Sequence, residues 1–257
     1  MKLGLITTGH GPRTAYEDYF SGLARSLGLQ IEVISEHILD PLSWEEIQPH
    51  LAKEGQPVLG AHVHVPGATG NRLGEGWDHV YVDLEWAYQW FQRAIDRLQE
   101  RGAQGIVFCC ATQFTPDQFK ATVPVIRPCD VTMQLIAGMV QAQQGERLRL
   151  GLMSSIGHAE QDQALFRGQS FPDQIELKYQ GFEGDILAQA PALTDFAPQL
   201  VVVWSFGLGT AASDPDRLAG KLEKLFGCPV IMPHRLAALQ ALAVLPVDFD
   251  DRHFCQK

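Results

Sequence analysis

The second half of the chain repeats the first half. Residues 3–10, LGLITTGH, return as residues 150–158, LGLMSSIGH, and three further pairs of segments match in the same order. Those pairs are residues 30–33 with 174–177, residues 105–114 with 200–209, and residues 123–140 with 228–245. Because chance does not produce several matches in one order, we infer an internal duplication.

Each copy alternates short Val-, Ile- and Leu-rich runs with segments of helical period, such as residues 17–28 and 85–102. Apolar strands joined by helices are typical of parallel sheets that are covered on both faces. The sequence therefore predicts an α/β fold of two lobes related by a pseudo-twofold axis, each a parallel sheet flanked by helices.

The final helical segment of each copy follows a PVI-x-P strand, and we expect it to pack on the opposite lobe. We therefore assign residues 1–127 and 234–257 to the first lobe and residues 128–233 to the second. Between the matched segments the first copy is longer by about 49 residues. This insertion, about residues 41–88, is Gly-rich and polar in its second part, which predicts a loop or hairpin that could cover a cleft.

Composition excludes several classes of function. A chain of 257 residues with 46% hydrophobic residues can bury a large core. Its net charge of -10 argues against a nucleic-acid interface, which needs clustered Lys and Arg. Its apolar runs are well short of the roughly 20 residues that cross a bilayer, and its amino terminus does not resemble a signal peptide. We expect a cytoplasmic protein with a small-molecule partner, and the sequence leaves a homodimer open.

The five cysteines are odd in number and form no CxxC pair, which favours reduced thiols over a disulfide framework. Cys109 and Cys110 are adjacent, so they would face opposite sides of a strand. Cys110 would end that strand before the polar turn of Thr112 and Gln113, where a following helix could lower its pKa and favour the thiolate. The duplication puts Ser205 at the matching position. A serine hydroxyl without an adjacent base cannot serve as a thiolate does.

Ligands of parallel α/β sheets bind beyond the carboxyl ends of the strands, where loops lead into helix amino termini. That rule selects four segments, residues 7–13, 110–114, 154–158 and 205–209. The candidate catalytic residues in them are Cys110, Ser205 and His10. The candidate substrate-binding residues are Thr8, Arg13, Thr112, Gln113, Ser154, Ser155, His158 and Gly207.

These candidates have ordinary structural alternatives. His10 could transfer protons near neutral pH, or it could be a turn residue. Arg13 could hold a carboxylate through two parallel hydrogen bonds, or it could be the solvated start of a helix. Cys110 could be a small buried hydrophobic residue, and Ser205 could cap a turn. The sequence alone leaves these alternatives open.

His62 and His64 are two residues apart, so in an extended segment both rings project to the same side and could chelate a metal ion. A third ligand is needed, and His10, Asp40 and His79 are donors only if the fold brings them near. We therefore expect no cofactor, and a metal site is the alternative. The GHGPR segment lacks the GxGxxG and Walker patterns, so a nucleotide site is not favoured.

The chain resembles the AroM family, within the superfamily of aspartate/glutamate and hydantoin racemases. The segments that carry the resemblance are residues 3–13, 39–47, 97–114, 147–155 and 228–242. The resemblance implies a two-lobed α/β fold with the active site between the lobes and one catalytic cysteine from each. One thiolate removes a proton from the carbon beside a carboxylate, and the other thiol returns one. Cys110 matches the first cysteine, Ser205 stands in place of the second, and Trp204 replaces an acidic residue that often precedes it.

A serine hydroxyl is too weak an acid to share this work equally with a thiol. We therefore expect an isomerase or lyase that acts on a small carboxylate or hydantoin-like compound, with Cys110 as acid/base or nucleophile. One alternative is a metal-dependent hydrolase or lyase that uses His62 and His64. The other is a non-catalytic protein that binds a small molecule and has lost turnover with the second thiol.

Overall fold

In the computed structural model, which describes residues 1–70, 73–143, 145–168, 173–208 and 215–245, strands and helices alternate along the chain. Residues 246–257 of the first predicted lobe lie outside this description, as does Gly209 of the last repeated strand segment. The strands are β1 (Lys2–Thr7), β2 (Glu32–His37), β3 (Val58–His64), β4 (Trp77–Asp83), β5 (Gly105–Phe108), β6 (Val125–Ile126), β7 (Leu148–Ser155), β8 (Ile175–Phe182), β9 (Leu200–Trp204) and β10 (Val230–Ile231).

The α-helices are α1 (Thr14–Ser26), α2 (Trp44–Ile47), α3 (Leu84–Glu100), α4 (Pro128–Ala142), α5 (Ala159–Gly168), α6 (Ile186–Gln189), α7 (Pro215–Phe226) and α8 (Pro233–Val244). Short 3₁₀ segments lie at Gln48–His50, Pro116–Gln118, Ile156–His158 and Ala190–Phe196. No helix in the described ranges is both long enough and apolar enough to span a membrane.

Two four-stranded sheets form the framework, with the strand orders β2-β1-β5-β6 and β8-β7-β9-β10. All neighbouring strands within each sheet are parallel. In the first sheet Leu3 pairs with Gly105, and in the second sheet Leu150 pairs with Leu200. The structure confirms the predicted α/β fold of two parallel sheets flanked by helices.

Alternating side chains of each strand supply two separate cores, one on each face of the sheet. On one face of the first sheet, Ile6 and Phe108 pack against the apolar side of α3, where Phe91 lies 4.9 Å from Phe108 between ring centroids. On the other face, Leu3 and Leu5 pack against α1 and α8. Because both faces are covered, the central strands β1 and β5 are almost completely buried.

The helices that follow β6 and β10 each pack on the other sheet. Ala237 and Ala241 of α8 lie in the same apolar cluster as Leu5 of β1. Ile136 of α4 packs with Leu150 of β7 in the corresponding cluster of the second sheet. Each helix begins with a proline directly after its strand, where the fixed φ of proline suits the first helical position. The two halves are thereby interlocked.

The insertion contains a helical turn, α2, followed by the antiparallel hairpin β3–β4. Residues 84–88, assigned to the insertion from the sequence, form the first turns of α3. The hairpin is attached to the end of β1, because the His10 N–H donates to the His62 carbonyl at 2.9 Å. Gly9 permits this approach: its φ is 107°, and a side chain there would collide with the backbone of His62.

Candidate active site between the two sheets

A cavity of about 150 Å³ lies where the carboxyl ends of the two sheets meet. Loops after β1, β5, β7 and β9 all contribute to its wall, as the rule for parallel sheets predicts, and the hairpin forms another side. Its volume is close to that of protein cavities that hold a molecule of the size of benzene. The cavity therefore suits a small ligand.

The structure brings most of the predicted site residues together in this cavity. Those that line it are Thr8, Cys110, Thr112, Gln113, Ser155, His158, Ser205 and Gly207. His62, half of the predicted metal pair, also lines it. His10, Arg13 and Ser154 do not reach the wall.

His10 lies at a separate surface depression with Asp40, Leu42 and His64, not at the cavity. Its Nδ1 accepts a hydrogen bond from the His64 backbone N–H at 2.9 Å, so Nε2 carries the proton and faces the Leu42 carbonyl at 3.1 Å. Burial lowers the pKa of His10, which keeps the ring neutral. The expectation of a catalytic His10 is corrected accordingly: the residue fastens the insertion to the end of β1.

Arg13 lies behind the cavity wall. Its Nη2 donates to the hydroxyl of Tyr16 at 3.4 Å, and it is Tyr16 that lines the cavity. The guanidinium is buried, and its Nη1 has no hydrogen-bond partner in the described ranges. Within those ranges no Lys or Arg side chain lines the cavity. An anionic ligand there would depend on hydroxyl, amide and backbone N–H donors.

Cys110 lies in the bend that follows β5, one residue beyond Cys109, and both thiols are buried. No α-helix begins directly after it, since residues 111–115 are irregular. Burial raises the pKa of Cys110 to about 12, although hydrogen bonds from the backbone and hydroxyl of Thr112 oppose that rise. The expectation of a lowered pKa was therefore wrong, and Cys110 rests as a neutral thiol.

Ser205 occupies the matching position after β9 and faces the same cavity. Its backbone N–H donates to the carbonyl of Val203 at 2.9 Å, which holds the turn. The two halves of the chain thus contribute unlike groups to the cavity, one thiol beside Thr112 and one hydroxyl. The chemical asymmetry expected from the sequence is present in the geometry.

Asp162 is a cavity residue that sequence reasoning missed. It lies on α5 with 5% of its surface exposed, and burial raises its pKa to about 7 from an ordinary value of 3.8. Hydrogen bonds from the side chains of Ser154 and Trp204 favour the charged form but do not outweigh burial. One signal for it was present in the sequence: Asp162 is four residues after His158, and residues at that spacing lie on the same side of a helix. An acidic residue in a first helical turn is, however, usually explained by the helix dipole.

A row of aromatic rings closes the hairpin side of the cavity. His62 and His79 are 4.7 Å apart between ring centroids, and Tyr81 bridges His79 to His158 at 5.0 and 4.9 Å. Burial, and then the neighbouring His79, lower the pKa of His158 to about 4, so this imidazole is neutral at pH 7. A neutral ring can accept or donate a hydrogen bond but adds no positive charge.

His64 packs on Trp77, with 3.8 Å between ring centroids. The described residues contain no group of three or more His, Cys, Asp or Glu side chains arranged to hold a metal ion. A metal site built on His62 and His64 therefore has no third ligand in this part of the chain.

A family model described as AroM protein matches residues 3–245. The chain belongs to the AroM family. The resemblance inferred from the sequence is thus confirmed. The match extends over nearly the whole of this AroM protein. No curated protein matches the sequence significantly.

Two solved structures share the fold of this AroM protein. Unliganded arylmalonate decarboxylase is similar with a TM-score of 0.53 and 10% identity, over 96% of this chain and 93% of that one. A Yersinia pestis protein described as a candidate Asp/Glu racemase is similar with a TM-score of 0.50 and 15% identity, over 95% and 98% of the two chains. At these identities the likeness shows the two-sheet architecture and its strand connections.

Proposed function

We propose that this protein is a lyase or isomerase that acts on a small carboxylate, and that the thiol of Cys110 gives a proton to a carbanion formed beside the carboxylate. One observation carries the proposal: the cavity at the sheet ends is lined by a buried, neutral thiol from one half and by a serine from the other half. The shared fold with arylmalonate decarboxylase and with the racemase-like protein supports this class of reaction.

The size and lining of the cavity support a small substrate. A volume of about 150 Å³ admits a reacting group of roughly six to eight non-hydrogen atoms. Thr8, Gln113, Ser155 and Ser205 offer donors that could orient a carboxylate or the carbonyls of a hydantoin-like ring. Fixed dipoles in a site that excludes water can also stabilise an enediolate as its charge develops.

The proton chemistry is consistent with the pKa of Cys110. When the substrate loses CO₂, the electron pair left on carbon is delocalised into the adjacent carbonyl group. The S–H bond of Cys110 then breaks as a C–H bond forms, and the resulting thiolate regains a proton from water. A pKa of about 12 keeps the donor protonated beforehand, and the hydrogen bonds from Thr112 stabilise the thiolate afterwards.

A single thiol delivers its proton from one side of the carbanion. Ser205 cannot replace a second thiol, because an alcohol is a far weaker acid. Decarboxylation of a prochiral malonate by this site should therefore yield mainly one enantiomer. A symmetric racemisation by two thiols is not part of the proposal.

The test compares the wild type with Cys110→Ala and Cys110→Ser over amino acids, hydantoins, arylmalonates and maleate. The readouts are CO₂ release, maleate isomerisation and incorporation of deuterium at the α-carbon in D₂O. Both variants should lose at least about 100-fold in rate, as expected for removal of an acid/base group. Cys228→Ala, which removes a thiol outside the cavity, is the control and should retain the rate.

Wild-type rates in Cys110→Ala would contradict the proposal. A compound that raises the melting temperature but is never altered would instead favour a binding protein without turnover. Elemental analysis of protein purified without a tag accompanies the assay. Stoichiometric metal would favour the alternative of a metal-dependent hydrolase or lyase.

A further inference from the structure

Asp162 lines the same cavity from the second sheet, whereas Cys110 lines it from the first. Asp162 lies on α5, the helix that follows β7. Leu165, one turn further along α5, packs in one apolar cluster with Trp204 and with Ala111, the residue after Cys110. The side of α5 that carries Asp162 is thereby held against the loop that carries the thiol.

One oxygen of this carboxyl group has no hydrogen-bond partner among the residues that the structure describes. Oδ2 of Asp162 is buried and makes no hydrogen bond within the described ranges, while the side chains of Ser154 and Trp204 hydrogen-bond to the group. A buried acceptor without a partner is unfavourable, and in a native fold it indicates a site for a ligand or a proton. Here the unpaired oxygen belongs to a residue that lines a ligand-sized cavity.

We propose that Asp162 is the second proton-transfer residue of this site: its carboxylate removes the α-proton of the bound carboxylate compound, and Cys110 returns a proton to the other face. The inference rests on the proposed function and deepens it. Decarboxylation needs only the thiol, whereas a base and an acid that line one cavity from different sheets make α-proton exchange the reaction of this cavity.

The step balances without any co-reactant. The substrate C–H bond breaks as an O–H bond forms on Asp162, and the electron pair is delocalised into the adjacent carbonyl group. The S–H bond of Cys110 then breaks as the new C–H bond forms. The site is left with a carboxylic acid and a thiolate, and a proton transfer through water restores the starting state.

The surroundings of Asp162 allow its charge to change near neutral pH. The titratable groups that line the cavity with it or lie beside it are Cys109, Cys110, Cys129, His62, His79, His158, Tyr16 and Tyr179. Burial raises the pKa of all three cysteines and of Tyr179, and it lowers that of His158. Asp162, with a pKa of about 7, therefore changes from acid to carboxylate between pH 6 and pH 8.

A first experiment detects that charge beside Cys110 without a known substrate. Cys110 is alkylated with neutral iodoacetamide and with anionic iodoacetate at pH 6 and pH 8, and each cysteine is quantified by mass spectrometry. The preference of Cys110 for the neutral reagent should rise about tenfold between the two pH values, because the carboxylate repels the anion. In Asp162→Asn the preference should stay constant, and Cys228, which lies outside the cavity, is the internal control.

An unchanged preference at Cys110 of the wild type would overturn the inference, and this result needs no variant to fold. A second experiment follows deuterium incorporation from D₂O over the amino acids and hydantoins, and CO₂ release from phenylmalonate. Asp162→Asn should lose at least about 100-fold in deuterium exchange but keep the decarboxylation that depends on Cys110. Asp162→Glu should recover part of the exchange.

The two proposals fail in distinguishable ways. If Cys110→Ala keeps exchange and decarboxylation, the proposed function is wrong. If Cys110→Ala loses both while Asp162→Asn exchanges at the wild-type rate, only the role of Asp162 is wrong. Decarboxylation by a wild type that exchanges nothing also overturns that role, and a wild type inactive on every compound contradicts both.

Discussion

Replacing Asp162 with Asn should stabilise the fold at pH 8 and change it little at pH 4. Burial raises the pKa of this carboxyl group to about 7, from an ordinary value of 3.8. Between those two pH values the folded state holds the proton more tightly than the unfolded state, so the free energy of unfolding falls as pH rises. Above pH 7 both states are ionised, and the whole cost of the buried charge remains.

The magnitude follows from the interval between the two pKa values. A difference of about three pH units, at about 1.4 kcal/mol each, corresponds to about 4 kcal/mol of lost stability at pH 8. With 5% of the residue exposed, solvent screens this charge very little. Asn keeps an oxygen that can accept from Ser154 and Trp204, and a weakened neutral hydrogen bond costs only about 1 kcal/mol. Removal of the buried charge should therefore dominate.

The assay is urea unfolding of wild type and Asp162→Asn from pH 4 to pH 8, followed by tryptophan fluorescence and far-UV circular dichroism. The difference in the free energy of unfolding should change by about 4 kcal/mol, from about 1 kcal/mol against Asp162→Asn at pH 4 to about 3 kcal/mol in its favour at pH 8, or about 10 °C in melting temperature at pH 8. Glu160→Gln is the matched control, because it removes an exposed carboxylate from the same turn of α5. Parallel pH profiles for wild type and Asp162→Asn would refute the reasoning.

Three further predictions concern the cavity and the hairpin that covers it. Thr112→Val should slow alkylation of Cys110 by iodoacetamide about tenfold at pH 8, because the thiolate loses the hydroxyl hydrogen bond. An unchanged rate would show that the Thr112 hydroxyl does not stabilise the thiolate. Gly157→Ala should destabilise the protein by about 1–3 kcal/mol in urea, because the new methyl group collides with the Tyr81 hydroxyl. Gly220→Ala, where the added methyl group meets no atom within 4 Å, is the control and should not destabilise the protein. His10→Ala should cost about 1–3 kcal/mol and speed hydrogen exchange in the insertion, since two backbone groups lose their partner, while leaving Cys110 chemistry intact.

The sequence already determined the architecture, because repeated strand and helix periods are local properties that each segment carries with it. The order of the repeats predicted two similar sheets, and the rule for strand ends then selected Cys110, Thr112 and Ser205 as neighbours. That prediction needs no knowledge of side-chain packing, since the carboxyl ends of parallel strands always lie at one edge of a sheet.

Only the tertiary structure decided what these residues can do. His10 lies in a predicted ligand loop, but the insertion packs on it from the side away from the cavity. A helix amino terminus was expected to favour the Cys110 thiolate, whereas burial keeps the thiol protonated. Asp162 carries no distinctive motif and became a candidate only because the fold removes it from water. The effect of desolvation on a pKa depends on many contacts from distant parts of the chain, so it cannot be predicted from a short segment of sequence.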